Sequence, residues 1–157
     1  MESGLLHLHN LLRWAVLLTG LWALYRGATG LSGRRPFSNT DRKAALWLLI
    51  STHLQFVLGV VLYFMRGWAS QLANGGSAIM QNKAMRFWTV EHGPVLILAV
   101  VFITIGHSAA KRASTDKAKF SRWFWWTLVG FINILSAVPW PWRELVGRGL
   151  FPGMSAQ

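Results

Sequence analysis

Four separate runs of about 20 mainly apolar residues dominate this sequence, and they restrict the fold more than any other feature. A helix rises about 1.5 Å per residue, so a run of that length matches the hydrocarbon core of a bilayer. In lipid every backbone N–H and C=O has to be satisfied within the protein, which leaves helices and closed barrels as spanning structures. The runs extend from about Gly4 to Tyr25, Ala44 to Met65, Phe87 to Ala110 and Trp123 to Trp142, with Pro139 and Pro141 ending the last. They predict an all-α, four-transmembrane-helix bundle, up-down-up-down, as one domain over residues 1–157. No small-residue cleavage site follows the first run, so it is expected as a helix of the mature protein rather than a signal peptide.

The charges carry the topology. Only 13% of residues are charged against 53% hydrophobic, and they cluster between the runs instead of covering a soluble surface. Arg26, Arg34, Arg35, Arg42 and Lys43 separate the first two runs, and Lys111, Arg112, Lys117, Lys119 and Arg122 separate the last two. The opposite side carries Arg66, Lys83, Arg86, Arg143 and Arg148. Ten basic residues against five place the first group in the cytoplasm and both termini outside, in the periplasm if the membrane is a bacterial inner membrane. The net charge of +11 is therefore read as orientation and attraction to anionic lipid, and no nucleic acid is expected as a partner. Trp123, Trp125 and Trp126 at one end of the fourth run, and Trp140 and Trp142 at the other, are expected as interfacial anchors. The absence of cysteine excludes disulfides, thiolate metal sites and thiol redox chemistry. The polar segment Gly67 to Asn82 is expected as an outer loop or short interfacial helix.

Ionisable residues inside the runs are the functional candidates, because such groups are costly in a bilayer. They are His7, His9, Arg13, His53, Glu91, His92 and His107. Counted from the cytoplasmic boundaries at Arg26, Lys43 and Lys111, His9 and His92 reach the same height, on the outer side, to within about one helical turn. His53 falls near the middle and His107 near the cytoplasmic surface. A haem b held by two imidazoles needs histidines at matching height from two sides of a bundle core, and His9 with His92 meets that condition. Arg13, on the same face as His9, and Arg86 are candidates to neutralise haem propionates. Glu91 is a candidate hydrogen-bond partner for His53 or a neighbouring helix. The fourth run has no histidine, methionine, cysteine or carboxylate, so at most one haem per chain is expected. The competing reading treats the histidines as hydrogen-bonded packing residues of a non-enzymatic accessory subunit or small-solute transport protein.

The runs LHNLLRW (Leu8 to Trp14), HLQFVLGVVLYF (His53 to Phe64), RFWTVEH (Arg86 to His92), ITIG (Ile103 to Gly106) and PWPW (Pro139 to Trp142) resemble small four-helix membrane proteins of Bacteroidota-type bacteria commonly labelled cytochrome b. The resemblance covers almost the whole chain and implies haem b. It matches at His9, Arg13, Trp14, His53, Gln55, Arg86, Trp88, Glu91 and His92, while His107 stands where relatives often carry arginine. It thus adds His53 as an alternative partner of His92, and Trp88 to the candidate cofactor-binding residues. Three histidines with Glu91 also resemble a zinc, iron or copper centre. The expected partners are the lipid bilayer, a quinone or a redox partner protein, and further subunits of an oligomer or larger complex. One-electron transfer is the expected activity.

Overall fold

The computed structural model describes residues 2–154, which form six helices and, among the described residues, no strand. The four long helices are α1 (Glu2–Gly30), α2 (Asn39–Met65), α5 (Lys83–Lys111) and α6 (Asp116–Ala137). Two short helices, α3 (Trp68–Asn74) and α4 (Gly76–Gln81), occupy the segment expected as an outer loop or short interfacial helix. Two of the long helices, α2 and α5, are long and apolar enough to cross a membrane.

The long helices start and stop where capping chemistry puts them, and that differs from where hydropathy alone does. Helix α2 begins five residues before Ala44, because Ser38 and Asp41 form a reciprocal capping box. Helix α6 begins at Asp116 instead of Trp123, since the Thr115 hydroxyl accepts the Ala118 N–H and an acidic residue occupies the first turn. It ends at Ala137, five residues before Trp142, because Pro139 and Pro141 cannot continue it. The early start also changes the role of Trp123. It is 1% exposed and packs edge-on against Phe37, so it is a core residue and not an anchor. Trp47, Trp125 and Trp142 are largely exposed.

Neighbouring long helices run antiparallel. On α1 and α6, Gly20 lies against Phe131, Gly27 against Phe124 and Gly30 against Phe120, so one sequence ascends as the other descends. A Cβ at Gly20 or Gly30 would enter an aromatic ring, which is why the two backbones need glycine to approach this closely. Gly106 against Trp126 and Gly130 against Ile103 do the same for α5 and α6. Hydrogen bonds Thr19–Ser51 (3.0 Å) and Gln55–His9 (3.2 Å) join α1 to α2. Helix α2 also packs on α5, whereas α1 and α5 are not principal neighbours.

The end of the molecule that holds the 31–38 and 112–115 connections is organised around one carboxylate. Asp41, fully buried, receives Arg26 Nε at 2.8 Å, Arg35 at 2.8 and 3.0 Å, and the Ser38 backbone N–H at 2.8 Å. Arg35 also lies 4.4 Å over the Phe120 ring, which contacts Phe37 at 4.9 Å. One carboxylate thereby fixes the α1 terminus, the loop and the α2 cap together. Asp41→Asn leaves two guanidinium groups without their counter-charge and is expected to cost about 3 kcal/mol, the low end for a broken buried pair because both arginines keep partial water access. Thermal unfolding of the detergent-solubilised protein, compared with wild type, measures that loss.

Candidate functional site

The opposite end of the helical assembly contains a cavity of about 800 Å³, within the roughly 300–1,000 Å³ common for small-molecule and cofactor sites. Its walls come from α1, α2, α5 and the segment after α6, and they include His9, Arg13, Gln55, Trp88, His92 and Arg148.

His92 is positioned by a local break in α5. Residues Phe87–Glu91 form a π-helical turn, with the His92 N–H bonded to the Phe87 carbonyl. In that register the partner of the Thr89 carbonyl would be the N–H of residue 94, and Pro94 has none. The Tyr63 hydroxyl on α2 donates to the freed carbonyl at 2.9 Å. The imidazole itself meets a helix-end carbonyl. Ala137 is the last residue of α6, its oxygen has no partner within the helix, and His92 Nδ1 lies 2.9 Å from it. A carbonyl only accepts, so Nδ1 carries the proton and Nε2 keeps its lone pair. The rings of Phe87 and Trp88 flank the imidazole at 5.5 Å each.

His9 reaches the cavity from α1. Gly59 on α2 makes room for it, since a Cβ there would lie 3.2 Å from His9 Cε1. Gln55 approaches His9 Nε2 at 3.2 Å, and His9 Nδ1 is buried without a hydrogen-bond partner. Gln55 Oε1 and Arg13 Nε are likewise buried and unpartnered. Three orphaned polar atoms in one wall are uncommon in a protein interior and leave hydrogen-bonding capacity directed at the cavity unused.

Arg13 is 6% exposed and holds the segment after α6 against α1. Its guanidinium donates to Leu150 O at 2.8 Å and Gly149 O at 3.3 Å, and Trp14 Nε1 donates to Leu150 O at 2.8 Å. Phe151 stacks on Trp14 with centroids 5.5 Å apart. This brings Arg148 to the cavity, 5.1 Å over Trp88. Arg148 and the Gly149–Met154 wall are absent from the sequence-derived site; the proline spacing that frees the α6 carbonyls is the nearest signal to them.

Other expected site residues lie elsewhere. His53 is outside the cavity lining, and its Nδ1 donates to Leu49 O one turn back in α2 at 2.8 Å. Glu91 pairs with Arg86 at 2.6 Å, partly exposed, and meets neither His53 nor the cavity. Among the described residues no three His, Asp or Glu side chains gather as a metal centre requires, so the three-histidine site with Glu91 is not assembled. Compared with protein-family models, curated proteins and solved structures, the chain shows no match.

Arg13→Met should release the wall. The expected result is trypsin cleavage after Arg148 faster by about tenfold or more and faster amide exchange over residues 148–151, for the loss of the two charge-assisted hydrogen bonds to Gly149 O and Leu150 O. Helix amides in α2 and α6 should exchange as in wild type.

Proposed function

We propose that the chain is a four-span integral membrane protein of a bacterial inner membrane that holds one haem b between His9 and His92 and passes single electrons. The carrying observation is that these two imidazoles, from helices that are not principal neighbours, line one cavity. His92 has the arrangement usual for a metal-binding histidine, with Nδ1–H on a carbonyl and Nε2 free to coordinate. His9 supplies the second imidazole, and its hydrogen bond to Gln55 has to open for Nε2 to serve. Arg148 offers positive charge for propionates, while Arg86 is engaged by Glu91 and Arg13 by the Gly149–Leu150 carbonyls. Haem, when bound, supplies one-electron iron chemistry, and the protein tunes it through ligand identity and burial. A quinone or an outer-side redox protein is the partner class that fits this location.

Four spans are supported by what the long helices present outward. Leu11, Leu18 and Leu21 on α1, Leu54, Val57 and Val61 on α2, Ile97 and Val101 on α5, and Trp125, Val129 and Ile132 on α6 are all exposed. Apolar surface on every long helix at once is a lipid-facing pattern. The excess of basic residues near the Asp41 end supports a cytoplasmic position for that end and an outer-side position for the cavity.

The Gln55–His9 bond favours a second reading, in which both imidazoles are hydrogen-bonding groups of a haem-free accessory or solute-transport protein. A reduced-minus-oxidised spectrum separates the two. A reducible Soret band with a sharp α-band supports haem, and a colourless monodisperse preparation from haem-replete cells supports the alternative.

Cysteine labelling should find positions 36 and 115 cytoplasmic and position 74 outside; the reverse pattern overturns the orientation. For ligation, His92→Ala is expected to abolish haem binding and His9→Ala to yield a five-coordinate spectrum or an empty protein. His53→Ala and His107→Ala should leave a pyridine haemochrome value of at most one haem per chain unchanged. An unaltered low-spin spectrum in His9→Ala would transfer the ligand role away from that residue.

A further inference from the structure

At the Asp41 end, a second and smaller cavity of about 360 Å³ lies among α2, α5 and α6. Its charged lining is Arg42, Lys111 and Lys119, and its apolar lining includes Phe37 and Leu46. The three cations converge because α2 and α6 begin where α5 ends. Among the described residues neither Arg42 nor Lys111 has an acidic partner within salt-bridge distance. Lys119 is shared with Asp116 at 3.0 Å, and that hydrogen bond holds the Asp116 carboxyl below its ordinary value, so one carboxylate faces three cations. His107 lines the same cavity, with Nδ1 buried and unpartnered. The tautomer that leaves only a lone pair unsatisfied there keeps the proton on Nε2 as a donor.

Free cationic heads above an apolar floor match an amphiphile and not a fully hydrated ion. We infer that this cavity binds the phosphate of one anionic phospholipid, with Arg42, Lys111 and Lys119 on the headgroup and Leu46 at the start of an acyl chain. Leu46 is 44% exposed one turn above Arg42, and Ile50, a further turn up, is also exposed. The chain therefore has an apolar track along α2 to follow. Basic pockets between spanning helices near the cytoplasmic surface have this recognition chemistry. The inference rests on the membrane reading above and is independent of haem.

Native mass spectrometry of the full chain, released from detergent micelles containing phosphatidylglycerol and phosphatidylcholine, tests it. The expected result is retention of one phosphatidylglycerol and no phosphatidylcholine, unaffected by millimolar inorganic phosphate. Arg42→Gln with Lys111→Gln should weaken retention about tenfold or more. Arg42→Lys with Lys111→Arg, which keeps the charge, should restore it and shows that the fold tolerates change at both positions. Equal retention of phosphatidylcholine, or undiminished retention in the double glutamine variant, overturns the inference. Displacement by inorganic phosphate also overturns it, because the site is then one for free phosphate. A chain that stays monodisperse without detergent defeats the membrane reading and this inference together, whereas a detergent-dependent chain with no lipid selectivity defeats this inference alone.

Discussion

A carbonyl with no N–H to meet is the constraint around which the site is organised. Pro94, Pro139 and Pro141 each remove a backbone donor, and in an apolar surrounding the acceptor left behind costs several kcal/mol unless something else reaches it. Tyr63 takes the Thr89 carbonyl, Trp140 Nε1 takes that of Leu135 at 2.9 Å, and His92 takes that of Ala137. Each repair is a tether between segments: α2 to α5, α6 to the chain that follows it, and α5 to α6. The proton on Nδ1 of the principal candidate ligand thus follows from a carbonyl 45 residues further along the sequence.

The two ends of the protein differ in how their polar groups are satisfied. At the Asp41 end that carboxylate is satisfied several times over, aromatic rings pack beside it, and the remaining cavity is the smaller of the two. At the His9 end the interior is open, three buried polar atoms lack partners, and one wall is irregular chain held by Arg13 and Trp14. Proteins tolerate unsatisfied groups and helix irregularities mainly where a ligand uses them. That the π turn, three of the orphaned atoms and the larger cavity coincide at the His9 end is consistent with this economy.

Much of the helical layout was legible in the sequence because hydropathy over about 20 residues is a strong signal. Boundaries were less so: Ser38, Asp41 and Thr115 extend helices into polar sequence that hydropathy alone rejects. The common height of His9 and His92 was legible from helical rise alone, and the structure brings both to one cavity. His53 and Glu91 share the chemistry of a ligand but face other partners, and side-chain direction around a helix is not encoded in depth. Arg148 and its neighbours were illegible for a different reason. Their placement rests on hydrogen bonds from Arg13 and Trp14 to carbonyls 136 or 137 residues distant, and backbone acceptors leave no trace in residue identity.

The wall that follows α6 also bears on the order in which the protein matures. A chain is made from its N-terminus, so α1, α2 and α5 leave the ribosome before Ala137, Arg148 and Leu150 exist to contact them. Until then the His92 ring has no carbonyl to fix its orientation, and Arg13 is an uncompensated charge facing an open cleft. Docking of Gly149 and Leu150 onto Arg13 then completes the cavity, so one wall of the pocket forms only after the other helices have been made.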